Sequence, residues 1–501
     1  MENLTMLLHG FELAITPTNL FFCLIGVTVG QVVGVLPGLG PVAGTAMLIP
    51  LTYGLSPTTA VIMLAGIFYG AMYGGTITSV LINVPGEGAS VITCIDGYQM
   101  AKQGRGGNAL GVAAIGSFVG GVIAVVFLTF LGPALARYAL KFGPPEFFSL
   151  MVFGLLLLVG LIGKSVIKGL ISAILGMLLA LIGQDPATGV DRFLFGQLEL
   201  LEGVDFVVLA IGLFGLSEIL SNAEEDMKLK APEKIAGLIP PRSEWKACSG
   251  AIFRGTGIGG LLGLIPGTSA SIAALLSYSL EKKLSKTPER FGKGAIEGVA
   301  GPETANNSYA GAALIPLFTL GIPTSPTIAV LLGAFIMHGL TPGPLLYAKN
   351  PDFVWAVIAS LFIGNFLLLI MNLPMAKWWA KIALVPYPLL FPLILLVCMV
   401  GVYSVNRSLW DVGLTIAFGG IGYLMKKWQL PTAALILSFV LGKNIEFTLV
   451  QTLSLSDNGL LALFERPISA TLLTLCGLVL VFGLYTTFKN KRGALATDES
   501  A

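Results

Sequence analysis

The chain has 501 residues, of which 55% are hydrophobic and 11% charged, with a net charge of +2. A soluble domain carries about 25% charged residues, so this composition cannot clothe a water-exposed surface. The near-neutral balance offers no basic face for nucleic acid.

From the N-terminus, Met1–Pro17 contains no Lys or Arg and so lacks the positive n-region of a cleavable signal peptide. The first apolar segment is therefore expected to stay in the mature protein. An apolar stretch from about Leu20 to Leu51 is interrupted by Pro37-Gly38-Leu39-Gly40-Pro41. Proline lacks a backbone donor and glycine tolerates unusual dihedrals, so two half-length helices joined there predict a re-entrant hairpin. A simple kink or a tight turn is the alternative. Backbone groups freed at such a tip need protein or water around them. They are also ready ligands, amides for anions and carbonyls for cations. The next break is Asn83-Val84-Pro85-Gly86-Glu87-Gly88-Ala89-Ser90, rich in small polar groups. Glu87 is its odd member: a buried anion there would repel an anionic substrate but could hold a coupling cation or carry a proton. A solvent-facing loop carboxylate is the alternative reading.

Runs such as Phe147–Ile162 and Ala470–Phe488 approach or reach the length needed to cross a bilayer of roughly 30 Å. Between them, Ser221–Lys246 mixes Glu224, Glu225 and Asp226 with Lys228, Lys230 and Lys234, as expected of a solvated connection. Beyond it the breaks return. Gly34-Val35-Leu36-Pro37-Gly38 recurs 229 residues on (34 to 263) as Gly263-Leu264-Ile265-Pro266-Gly267, followed by Thr268, Ser269, Ala270 and Ser271. Asn83-Val84-Pro85-Gly86 is matched 238 residues on (83 to 321) by Gly321-Ile322-Pro323-Thr324, followed by Ser325. Lys141–Pro145 parallels Lys381–Pro388, and Ser165-Val166 parallels Ser404-Val405. Four matches in one order indicate duplication. Between the second pair of breaks lies Gly301-Pro302-Glu303-Thr304-Ala305-Asn306-Asn307-Ser308, where Glu303, Asn306 and Asn307 offer oxygen ligands to a hard cation such as Na⁺; a helix cap is the alternative.

Charge placement discriminates parallel from inverted copies. With the linker cytoplasmic and the copies inverted, 22 of the 29 Lys and Arg fall on cytoplasmic segments and 7 outside, in line with the positive-inside rule. The fold expected is therefore an all-α, polytopic transmembrane helix bundle. It has two inverted repeats containing re-entrant hairpins and interrupted helices: 18–222, a cytoplasmic linker 223–249, 250–488, and a cytoplasmic tail 489–501. Transporters built this way bind substrate near the midplane between repeats.

Candidate substrate-binding residues are Pro37, Gly38, Gly40, Asn83, Pro85, Gly86, Ser90, Gly267, Thr268, Ser269, Pro323, Thr324 and Ser325. Candidate coupling-ion residues are Glu303, Asn306, Asn307 and Glu87. The five cysteines include no CxxC, and only His9 and His338 are present, the latter expected to pack. There is no GxxxxGK[ST] phosphate loop and no catalytic constellation. No cofactor is expected, and Na⁺ is the one metal considered. A gradient-coupled membrane enzyme subunit and an anion channel are the competing classes.

The sequence closely resembles the large membrane subunit of the bacterial tripartite tricarboxylate transporters, the TctA family. The resemblance rests on Gly34–Gly40, Tyr73–Gly86, Asp96–Gly104, Gly301–Asn307 and Ile315–Pro323, and spans about Leu20 to Phe488. It implies a bacterial inner-membrane protein working with a small membrane subunit and a periplasmic solute-binding protein. It also implies import of citrate or related carboxylates, driven by a Na⁺ or H⁺ gradient.

Overall fold

The computed structural model describes residues 2–162, 165–185, 188–224, 237–385 and 387–498. Residues 225–236 of the expected linker, including Glu225, Asp226, Lys228, Lys230 and Lys234, lie outside the described residues. The molecule is an all-α bundle. Among the described residues, seven helices are long and apolar enough to cross a membrane, or up to eight if a bent pair near the C-terminus counts as one span. One two-stranded hairpin, Gly183–Gln184 with Asp191–Arg192, is the sole sheet among the described residues.

The breaks read in the sequence are breaks in the helices. Pro17–Val35 stops at Leu36, and a second helix, Gly40–Leu48, continues into a 3₁₀ turn at Ile49–Thr52. The segment matched to it in the sequence is Arg242–Gly263 followed by Ala270–Leu284, started by Ser269, whose Oγ accepts the Ile272 amide at 3.3 Å. Pro57–Ile82 begins behind Ser56, whose Oγ accepts the Thr59 amide, and ends at Asn83 in the left-handed conformation. Helix Val91–Lys102 follows. In the second half, Glu297–Ala312 and Leu314–Leu320 end at left-handed Gly321, and Pro326–Met337 starts behind the Ser325 cap.

One packing device recurs in both halves. Cβ atoms at Gly26, Gly30 and Gly34 would strike the carbonyls of Met63, Ile67 and Ala71. At Gly255, Gly259 and Gly263 they would crowd Gly301, Ala305 and the Tyr309 carbonyl. Absent side chains let the two backbones touch, the usual means of helix association where lipid offers no hydrophobic drive. The glycines recur at an offset of 229 (30 to 259) and their partners at 238 (67 to 305), the same offsets that relate the proline breaks. The Ser165–Ser404 match does not mark equivalent places. Ser165 precedes Val166–Ala180, whereas Ser404 lies inside Tyr387–Asn406; the serine that precedes the next helix, Leu409–Lys427, is Ser408.

Pro57–Ile82 and Glu297–Ala312 lie at the centre, each buried along nearly its whole length. A helix apolar all round must be enclosed by others. The second of the two is enclosed although it carries Glu303, Asn306 and Asn307, so those groups need partners inside the protein.

Candidate functional site

The partners come from the other half of the chain. Thr76, on Pro57–Ile82, donates to Glu303 Oε2 at 2.7 Å, and Thr93, beyond the second break, donates to Glu303 Oε1. One helical step along, Asn306 Nδ2 donates to Glu87 Oε1 at 2.9 Å. Asn307 Nδ2 donates to Ser117 Oγ at 2.7 Å and to the Glu303 carbonyl at 3.1 Å. Glu87 is therefore no solvent-facing loop residue; it is 8% exposed, and Glu303 is 1% exposed.

Burying a carboxylate is costly unless it is neutralised or fully hydrogen-bonded. No Lys, Arg or His among the described residues forms an ion pair with Glu87 or Glu303, so their donors are all neutral. The same place holds acceptors without donors: Asn306 Oδ1 and Asn307 Oδ1 are buried and unpartnered. Exchanging O and N in the Asn306 amide would set its oxygen against the Glu87 carboxylate, which fixes its orientation. An acceptor-rich cluster with no basic residue suits a hard monovalent cation or a proton. Beside it, Tyr73, Thr76 and Ser117 help line a cavity of about 10 Å³, room for roughly one water-sized species.

One break, through Glu87, belongs to this cluster, and close contacts link the other three breaks to it in turn. Gly86 lies against the Gly34 carbonyl and has no space for a Cβ. A Cβ on Gly88 would come within 2.9 Å of Ser271 Oγ, so the first half meets the second at that point. The Gly267 amide donates to the Thr324 carbonyl at 3.0 Å, which joins the two breaks of the second half. Tyr309 OH, on the helix of Glu303, donates to the Thr268 carbonyl at 2.9 Å. Pro323, Thr324 and Ser325 are buried, and Thr324 Oγ1 has no partner. Ser90 closes the Glu87 turn by donating to the Glu87 carbonyl at 2.9 Å.

The remaining predicted residues are less central. Gly38 and Gly40 have positive φ, but the Gly38 carbonyl accepts from Asn222 and Gly40 faces open space. That tip, with Pro37, reaches the cluster through Gly34 and Gly86. Pro85 is half-buried, and Asn83 is exposed. His338 accepts or donates one bond with Thr52, at 2.9 Å. A cavity of about 770 Å³ elsewhere is lined by Asp205, Trp410 and Lys443 among others, and by no residue of the predicted set.

Sequence reasoning missed Thr76, Thr93, Ser117 and Tyr309. Thr76 had a legible signal, one of three hydroxyls, with Thr78 and Ser79, close together toward the end of a largely apolar 26-residue helix. Thr93 and Ser117 had none, because hydroxyls bonding their own helix backbone are common and carry no message about partners.

A family model described as "Tripartite tricarboxylate transporter TctA family" matches residues 20–437. An "Uncharacterized 52.8 kDa protein in TAR-I ttuC' 3'region" of Agrobacterium vitis is 45% identical over 500 residues, covering the whole of both chains. An "Uncharacterized protein in TAR-II ttuC' 3'region" of the same organism is 42% identical over 241 residues, which is 48% of this chain and all of that one. No solved structure matches the chain.

Proposed function

The chain belongs to the tripartite tricarboxylate transporter TctA family, and on that premise we propose that it is the substrate-translocating subunit of a secondary importer of small carboxylates. It is a multi-pass membrane transporter subunit rather than an enzyme, and its family implies further subunits. The finer reading is that a periplasmic binding protein delivers the carboxylate and a small membrane subunit accompanies this chain in the bacterial inner membrane. A Na⁺ or H⁺ gradient supplies the work.

One observation carries this reading: two buried carboxylates, Glu87 and Glu303, sit at the junction of the halves with neutral donors only. A fixed basic residue would neutralise them permanently. Without one, a mobile cation is the natural counter-charge, and its arrival and departure can be tied to movement of the halves. Glu303, Asn306, Asn307 and Glu87 then form the coupling site. The hydroxyls of Thr268, Ser269, Thr324 and Ser325 receive the substrate, beside the peptide turns at Gly86 and Gly267. The recurrence of the glycine packing in each half supports a duplicated architecture, and the distribution of Lys and Arg supports its inversion.

The test is uptake into proteoliposomes holding the membrane subunits, with binding protein and a panel of labelled mono-, di- and tricarboxylates outside, under an imposed Na⁺ or pH gradient. Accumulation that collapses with the gradient is expected. Downhill flux alone, indifferent to both gradients, would favour a channel.

A further inference from the structure

In carboxylate transporters with broken helices, the amides at a half-helix N-terminus are the expected seat of a substrate carboxylate. At the second break of the first half that seat is already filled. Glu87 Oε2 accepts the Ala89 amide at 3.0 Å, and Oε1 accepts the Ser90 amide at 3.1 Å together with Asn306 Nδ2. The corresponding break of the second half is different. Ser325 caps its helix with a neutral hydroxyl, and Thr324 Oγ1 is buried without a partner. The two ends of the site are thus chemically unlike, one carrying a built-in carboxylate and the other only neutral donors.

We infer that Glu87 is a specificity-determining residue that takes the place of a substrate carboxylate. The substrate carried here presents one carboxylate, to the second-half break, and a hydrogen-bond donor such as a hydroxyl toward Glu87. This rests on the transport function proposed above and narrows its substrate class. The physical reason is electrostatic: one monovalent cation held by Glu87 and Glu303 offsets only one of their two charges, so a second substrate carboxylate brought, desolvated, against Glu87 still meets like charge in a low-dielectric site and is repelled. A hydroxyl in the same position would donate to it. Asn306 strengthens the asymmetry. Its amide nitrogen holds Glu87 in place, and its unpartnered oxygen adds a further acceptor on the same side, so that side of the site calls for donors.

The test compares molecules of one length: succinate, 4-hydroxybutyrate and 4-aminobutyrate. Binding is read as ligand-induced thermal stabilisation of the purified membrane complex, full chain with its small subunit, without the binding protein. Wild type is expected to respond to 4-hydroxybutyrate at concentrations at least about tenfold lower than to succinate, a difference of about 1.4 kcal/mol. Glu87→Gln keeps an acceptor oxygen but removes the charge, and is expected to shift the preference toward succinate by about tenfold or more. Glu87→Thr, a smaller neutral residue, is expected to shift it the same way, which guards against a fold-specific failure of one variant. Equal or tighter binding of succinate by wild type overturns the inference, as does a preference that neither variant changes or stabilisation by none of the three. If 4-aminobutyrate is favoured over 4-hydroxybutyrate, the assignment of a hydroxyl falls. Gradient-driven uptake in which Glu87 has no effect on substrate preference would leave the transport function standing and remove only this inference, whereas absence of gradient-driven uptake of every carboxylate offered would remove the function itself.

Discussion

At Glu303, the stability of a buried charge and the work of a transporter become one question. Both of its oxygens are occupied by hydroxyls, Thr76 and Thr93, contributed by the opposite half. A hydrogen bond to a charged group is worth about 1.5–3 kcal/mol, and removing one donor leaves the carboxylate short by that amount. Thr76→Val should therefore change the cation concentration for half-maximal uptake by roughly tenfold or more. Glu303→Gln, which removes the charge and keeps the shape, should abolish dependence of uptake on the driving ion. Both are measured in proteoliposomes as uptake rate against Na⁺ concentration and against pH. Unaltered ion dependence in Glu303→Gln would move the coupling site elsewhere. Asn306→Ala lies between these two: it removes an unpartnered acceptor and also releases Glu87, so ion dependence and substrate preference should change together.

At the scale of elements, the tightest places are those where two backbones touch. Gly267 combines both reasons for glycine: its φ is +82°, and a Cβ would sit 2.5 Å from the Leu158 amide nitrogen. Gly267→Val should accordingly abolish transport while the chain still inserts in the membrane. The readouts are uptake together with the amount of protein recovered from the membrane fraction, and normal uptake would mean the tip is not constrained. Gly259→Leu tests the repeated packing device. Overpacking usually costs about 1–3 kcal/mol, and contact with a carbonyl leaves little room to relax, so the thermal midpoint of the purified protein should fall by several degrees. Much of this level was legible in the sequence, because Pro-Gly pairs inside apolar runs leave backbone groups that helices cannot satisfy. The offsets 229 and 238 that relate the proline breaks also relate the close-packed glycines and the backbone they touch. The Ser404 match misled because a Ser-Val pair has no such constraint; a serine caps a helix only where the helix begins, as Ser408 does. The glycine ladder, by contrast, was present in the sequence as Gly26, Gly30, Gly34 and Gly255, Gly259, Gly263, but spacing alone does not say which helix lies opposite.

At the scale of the molecule, alternating access requires the halves to be joined firmly at one level while they part at another. The firmest junction away from the candidate site is Asp96, a fully buried residue of the first half. Its Oδ1 accepts three consecutive-loop amides of the second half, Gly292 at 2.9 Å, Gly294 at 2.7 Å and Ala295 at 2.8 Å, and its Oδ2 accepts Tyr278 OH at 2.9 Å. Gln103 adds a bond to the Lys293 carbonyl at 2.8 Å, and Arg105 pairs with Glu244 at 2.5 Å. A carboxylate in a nest of amides is well satisfied without any basic residue. Removing that carboxylate strands three amides at once. Asp96→Ala should lower stability by about 3 kcal/mol or more, since each bond to a charged group is worth about 1.5–3 kcal/mol and water recovers only part. Hydrogen exchange distinguishes a junction between halves from a local turn. In the variant, amides 292–295 should exchange faster, and so should the Val91–Lys102 helix on the other side of the contact. Faster exchange in the loop alone, with that helix unchanged, would make Asp96 a loop anchor and leave the union of the halves to the glycine-packed helices and the polar cluster around Glu303.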